Sequence, residues 1–223
     1  MRPKVIYEDN HLLVVEKPVN IPVQADNSKD PDFLNILKQY IKEACNKPGA
    51  VYLGLVHRLD RPVGGIMVFA RTSKAAARLS DQIRTRIFKK TYLAVVRGKP
   101  ESEKAVLRDF LLKNEVSNMV SVVKEGTGDA KEAILEYEVL KSLGELSLLR
   151  IKLHTGRPHQ IRVQLSNAGH VLYGDQRYGA AVNKPGQQIA LWAYEVAFQH
   201  PTKKEMLIFR CDTPGTEPWL IFK

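Results

Sequence analysis

The run Ala133-Ile134-Leu135-Glu136-Tyr137-Glu138-Val139 and the run Leu149-Arg150-Ile151-Lys152-Leu153-His154 are separated by Ser142-Leu143-Gly144 and its neighbours. In the first, Leu135, Tyr137 and Val139 alternate with Glu136 and Glu138. In the second, Leu149, Ile151 and Leu153 alternate with Arg150, Lys152 and His154. A period of two sends apolar side chains to one face of a strand and charges to the other. Both runs therefore read as half-buried strands, 132–140 and 145–154, joined as a hairpin about Ser142-Leu143-Gly144. A sheet with one wet face is an antiparallel sheet.

Outward from that hairpin, residues 4–7 and 12–15 read as short strands about the turn Glu8-Asp9-Asn10. Further strands are expected at 66–71, from Lys89 to Val96, at 189–198 and at 204–210, the last two joined by His200-Pro201-Thr202-Lys203. A helix is expected from Pro31 to about Ala44, capped by Asp30, with Phe33, Leu37, Tyr40 and Ala44 on one face and Cys45–Gly49 ending it. A second is expected over 74–88, capped by Thr72 or Ser73, with Ala75, Leu79, Ile83 and Ile87 inward and Arg78, Arg84 and Arg86 turned elsewhere. A short third opens at Pro158, carries Ile161 and Leu165 and stops at Gly169. From 100 to 131 periodicity is poor, and Gly126-Thr127-Gly128-Asp129 reads as an exposed loop. Strands dominate and the order is mixed. The expected fold is α+β, a mainly antiparallel (mixed) β-sheet core with flanking helices. No repeat or linker divides the chain, so residues 1–223 read as a single domain.

The chain has 223 residues, 44% hydrophobic and 26% charged, which suits a globular protein with a substantial core. Its formal net charge of +10 points to a polyanionic partner, nucleic acid or an acidic membrane surface. Cys45 and Cys211 match no disulfide or metal spacing and suit a reducing compartment. No signal peptide and no membrane-length apolar run is present, so a cytoplasmic protein is expected. His-Glu-x-x-His, Cys-x-x-Cys, Gly-x-Gly-x-x-Gly, Walker-type and Gly-x-Ser-x-Gly patterns are all missing. Metal, nucleotide-cofactor and serine-hydrolase chemistry have no support.

Two polar concentrations remain. Val56-His57-Arg58-Leu59-Asp60-Arg61-Pro62-Val63-Gly64-Gly65 precedes the apolar run Ile66–Ala70. Pro62 and the two glycines make the chain turn sharply, which would hold Asp60 at the mouth of the scaffold. Arg58, Arg61 and His57 are three possible cationic neighbours that can keep the carboxylate ionised and usable as a nucleophile. A solvated surface turn is the plainer reading of these residues alone. The other concentration is Thr155-Gly156-Arg157-Pro158-His159-Gln160-Ile161-Arg162, where a strand runs into a short helix. One arginine there could contact a phosphate while the other reaches a carboxylate, and the helix start offers N–H groups to an anion. Ordinary surface charge is the alternative.

Taken together, His57-Arg58-Leu59-Asp60, Lys90-Thr91-Tyr92-Leu93-Ala94 and Thr155–Arg162, in this order, resemble the RluA-type pseudouridine synthases. Glu16-Lys17-Pro18 is similar to the family's Asn/Glu-Lys-Pro. Gly169-His170 through Gly174-Asp175 and Tyr178-Gly179 is similar to its Gly-His-(x)-Gly-Asp-x-x-Tyr-Gly segment. The resemblance runs from about residue 4 to 214. It implies isomerisation of uridine in RNA to pseudouridine: N1–C1′ breaks, the base turns, and C5 joins C1′. It also implies no cofactor and no metal. By position, Asp60 is the family's essential aspartate, Tyr92 stacks on the uracil, and Arg162 pairs with Asp60. RNA contacts fall to Arg58, Arg61, Lys90, Arg157, His159 and Gln160. Whether the carboxylate attacks covalently or stabilises a transient sugar cation stays open.

The chain departs from the family's Thr-Ser-Gly after the aspartate turn, having Pro62-Val63-Gly64-Gly65, and from its Leu-His-Ala, having Leu191-Trp192-Ala193. Many relatives carry an extra N-terminal RNA-binding module; here the catalytic domain begins by residue 4, so no such module is expected. The expected partner is ribosomal or transfer RNA, and the expected state a monomer. A catalytically silent RNA-binding protein on the same fold is the rival. A carboxylate glycosidase would need a second catalytic acid, and none is seen.

Overall fold

The computed structural model describes residues 2–46 and 48–223. The helix-ending stretch Cys45–Gly49 includes Lys47, which lies outside the described residues. The chain forms two compact units, one running to Lys90 with Ala193–Asp212, the other spanning Thr91–Trp192 with Thr213–Lys223.

The first unit holds β1 (Lys4–Glu8), β2 (Leu12–Lys17), α1 (Phe33–Ala44), β3 (Gly54–Leu55), β4 (Gly64–Ala70) and α2 (Ser73–Arg84). It also takes most of β10 (Leu191–Gln199) and all of β11 (Met206–Arg210). The strand order is β1-β2-β4-β10, with β3 on β4 and β11 on β10. β2 and β4 pair antiparallel, Lys17 opposite Gly65 and Leu12 opposite Ala70. Leu12–Val15 and Ile66–Ala70 are fully buried. Such continuous apolar runs belong to strands covered on both faces.

The helices of this unit depart from expectation at their ends. Asp32, not Asp30, caps α1: its Oδ1 accepts from Asn35 N–H at 3.0 Å. Asp30 is instead paired with Arg61. The buried face is Phe33, Leu37 and Ile41, while Ala44 is exposed. Thr72 caps α2, its Oγ1 accepting from Ala75 N–H. α2 ends at Arg84 rather than 88 because Arg86 takes φ +61°, and the N–H groups of Ile87 and Phe88 turn back to the Gln82 carbonyl. Phe88 then stacks on Phe198, centroids 5.0 Å apart.

The second unit holds most of β5 (Lys89–Arg97), then β6 (Lys104–Asn114), β7 (Met119–Val123), β8 (Lys131–Leu143), β9 (Leu146–Leu153), α3 (Gln160–Asn167) and a 3-10 turn at Trp219–Phe222. Its strands run β5-β9-β8-β6-β7. The expected hairpin is present: Tyr137 faces Ile151 and Leu135 faces Leu153, and Gly144 at φ +54° makes the turn. Ala133, Leu135, Tyr137, Leu149 and Ile151 are buried, while Glu136 and Glu138 on the other face reach Lys152 and Arg150.

The stretch expected to be irregular is largely β6 and β7. Two positions break the alternation there: Val106 points to solvent, and Asp109 points inward to Gln164 Nε2 at 2.7 Å. α3 starts at Gln160, so Pro158 stands outside it. Gly169 ends it at φ +80°, with the N–H groups of Gly169 and His170 returning to the carbonyls of Ser166 and Leu165, a Schellman closure. Residues 160–165 are buried all round, where one apolar face was expected.

Candidate active site

In the first unit the Asp60 bend is a tight turn, closed by Val63 N–H to the Asp60 carbonyl at 3.0 Å. Leu59 and Val63 anchor it in the core, while Asp60 is partly exposed and Arg58 exposed. Its fixed point is Lys17, whose side chain is fully buried at the end of β2. Lys17 Nζ donates to the carbonyls of Pro18 (3.0 Å), Arg61 (3.0 Å) and Val63 (2.8 Å). Burial pulls its pKa down to about 7; the nearby Asp60 carboxylate pushes it up and Arg61 pushes it down.

The strand leaving the bend passes close to another backbone. Gly65 sits at φ +115°, and a Cβ there would lie 2.3 Å from the Ala193 carbonyl oxygen. The second glycine of this chain's version of the turn thus answers the Ala193 backbone, and only glycine fits at Gly65.

The neighbours of Asp60 are less uniformly cationic than the sequence suggested. His57 Nε2 accepts from Val68 N–H at 3.0 Å, and burial, reinforced by Lys90, lowers its pKa to about 3. His57 is neutral, a strand-pinning side chain rather than a cation. Arg61 lies over the 20–30 loop, donating to the Asn20 carbonyl, Ser28 Oγ and Asp30. Lys90 is largely buried, and desolvation lowers its pKa.

In the second unit Arg162 is 6% exposed and bound to Asp175 by two bonds, Nε to Oδ2 and Nη2 to Oδ1, each 2.8 Å. Asp175 is 1% exposed. Burial alone would raise its carboxyl. The Arg162 guanidinium and the N–H groups of Arg177 and Tyr178 outweigh that and hold it below the usual carboxylate range. The Tyr178 ring lies 5.3 Å from Arg162 Cζ, and its hydroxyl meets His159 Nδ1 at 2.8 Å and accepts from Val120 N–H. Arg157 Nε donates to the Glu132 carbonyl. Gln160, 3% exposed, accepts from Thr155 Oγ1 and Arg157 N–H and donates to the Ile134 carbonyl, so its amide closes the loop from β9 into α3. Tyr92, in β5, is 6% exposed.

Lys17 and Asp175 were not singled out as site residues from the sequence. Each stood inside a family-like motif, Glu16-Lys17-Pro18 and Gly174-Asp175, but the partner each holds is distant in the chain.

A family profile described as RNA pseudouridylate synthase matches residues 11–167. An uncharacterized RNA pseudouridine synthase of Aquifex aeolicus is 34% identical over 95% of this chain and 70% of its own length. The ribosomal large subunit pseudouridine synthase C of Vibrio parahaemolyticus is 33% identical over 91% of this chain, which spans 63% of that protein. The solved structure of human RNA pseudouridylate synthase domain containing 4 superimposes with a TM-score of 0.80 at 23% identity, covering 95% of this chain and 88% of that one, and shares the fold. The profile covers both the bend that carries Asp60 and the loop that carries Arg162, so the motifs and the overall match agree: the chain belongs to the RNA pseudouridylate synthase family, as its RluA-type motifs implied.

Proposed function

We propose that this chain converts a uridine in structured RNA to pseudouridine, with Asp60 as the acting carboxylate. Ribosomal RNA is the first substrate to test and transfer RNA the second. The observation that carries the reading is the clamped bend. Lys17 holds the carbonyls on both sides of Pro62, and Gly65 presses on Ala193, so a partly exposed aspartate sits on a backbone that cannot drift. Family membership supplies the chemistry, and the names of relatives that act on the ribosomal large subunit support the RNA class.

In this reading the target base leaves its stack, which costs a few kcal/mol. Tyr92 stacks on the uracil and recovers about 1–3 kcal/mol. The Asp60 carboxylate assists cleavage of N1–C1′, the base turns, and C5 joins C1′. Arg162 pairs with Asp60 and fixes its aim, while Asp175 positions Arg162. Arg58, Arg61, Lys90, Arg157, His159 and Gln160 form or shape the RNA contact. Because Arg61 is held by Asp30, its contribution requires exchange of that partner for a phosphate. The whole chain acts as one catalytic domain, as a cytoplasmic monomer, and needs no cofactor.

Asp60→Asn tests this. Purified variant and wild type are incubated with deproteinised ribosomal RNA, and pseudouridine is quantified by mass spectrometry. The variant should bind RNA within about twofold of wild type and form no product. Wild-type rates from Asp60→Asn would remove Asp60 from the chemistry.

A further inference from the structure

We propose that α2 and the β10–β11 turn form a second RNA-contact ridge that grips the phosphate backbone of a duplex. This rests on the RNA reading above. Between residues 71 and 90 the chain carries seven basic residues and one acid, Asp81. Arg71 is neutralised by Glu8, Arg84 by Asp81, and Lys90 is largely buried. Lys74, Arg78, Arg86 and Lys89 remain exposed.

The β10–β11 turn adds Lys203 and Lys204 to the same edge. Arg78 Nη1 donates to the Pro201 carbonyl at 2.8 Å, and the Gln82 amide exchanges two 2.8 Å bonds with the Gln199 backbone. Buried His200 holds the turn rigid: its Nε2 meets Asp9 Oδ2 at 2.7 Å, and its Nδ1 accepts from Lys203 N–H at 3.0 Å. Lys203 lies 3.6 Å from Glu205. Among the described residues no carboxylate pairs with Lys74, Arg86, Lys89 or Lys204. Unpaired cations on a pre-set frame are what a polyphosphate strand rewards, because each phosphate neutralised releases counterions.

The partner is a backbone rather than a splayed single strand. Single-strand grooves present aromatic faces to bases. Here Phe88 and Phe198 are buried and stacked on each other. The ridge offers charge without a stacking face, so it holds a duplex flank without reading its sequence.

The test is the variant Lys74→Gln/Arg86→Gln/Lys89→Gln/Lys204→Gln, with a charge-keeping control in which each lysine becomes arginine and Arg86 becomes lysine. Binding to a short synthetic RNA duplex is measured across a salt series. The glutamine variant should bind at least about tenfold more weakly, with its log–log salt slope shallower by about 3, and the control should match wild type. On ribosomal RNA, KM should rise while kcat holds within about twofold. An unchanged slope, or a control as weak as the glutamine variant, overturns the ridge. So does loss of binding to anionic phospholipid vesicles with duplex binding intact, which would make the surface a membrane contact. Duplex binding does not need Asp60, so a wild type that shows the ridge effect yet makes no pseudouridine sinks only the isomerase reading.

Discussion

The Asp60 bend and the Arg162 loop are both stiff, but they are stiffened by opposite devices. At the bend, a buried cation holds backbone carbonyls that carry no formal charge, so the charge of Lys17 is only partly compensated and its pKa falls to about 7. At the loop, a buried cation meets a buried carboxylate in a two-bond fork, and the pair keeps both charges. A carbonyl clamp adapts its protonation near neutral pH; a fork holds until its acid is titrated.

The sharpest way to break this contrast is Asp175→Ala, which leaves Arg162 buried beside a missing partner. Removing one member of a buried pair costs about 3–5 kcal/mol, and urea unfolding should register that loss. A loss below about 1 kcal/mol would mean that the fork is not what holds the loop.

Lys17→Met should cost less, about 2–3 kcal/mol. It strips the buried Val63 carbonyl of a donor, at about 1–3 kcal/mol, and the part-buried Arg61 carbonyl at less, but removes the desolvation of an ammonium. Its catalytic effect should exceed its stability effect. Turnover of ribosomal RNA by folded Lys17→Met should fall by more than about tenfold, because the loosened bend carries Asp60. Full turnover would show that the bend needs no clamp.

The smallest expected effect separates the two devices by pH. Between about 7 and the ordinary lysine value the unfolded chain keeps a proton on Lys17 that the folded chain has released. The unfolded state then binds more protons, so wild-type stability rises with pH through that window. Relative to Lys17→Met, wild type should gain about 2 kcal/mol between about pH 7 and 9 in urea titrations. Asp175 runs the other way. Its folded pKa is depressed, so its contribution is complete above the ordinary aspartate range and is lost only as acid titrates the folded pair. The Asp175→Ala deficit should therefore stay flat over the interval in which the Lys17 difference moves.

Much of this was legible in the residues, and the failures have causes. The 132–154 hairpin was readable because its outward positions are Glu, Arg and Lys and its inward ones apolar. β6 was not, because Val106 faces solvent and Asp109 faces in, where its carboxylate satisfies Gln164. α2 ran short of its expected end because an apolar residue at helical spacing, Ile87, follows a left-handed Arg86. His57 reads as a cation beside Asp60 in the sequence, whereas in the fold its ring nitrogen accepts from Val68 N–H.

The residues alone determined the period-two strands, the bend at Pro62-Val63-Gly64-Gly65 and the ordered family motifs, because these depend on neighbours a few positions apart. Tertiary structure alone decided that Lys17 clamps carbonyls 44 and 46 residues away, and that Asp175 forks onto Arg162. It also decided that Gly65 must yield to Ala193. Those are matters of burial. A lysine or an aspartate written in a sequence has no fixed electrostatic meaning until the fold removes its water and supplies its partner.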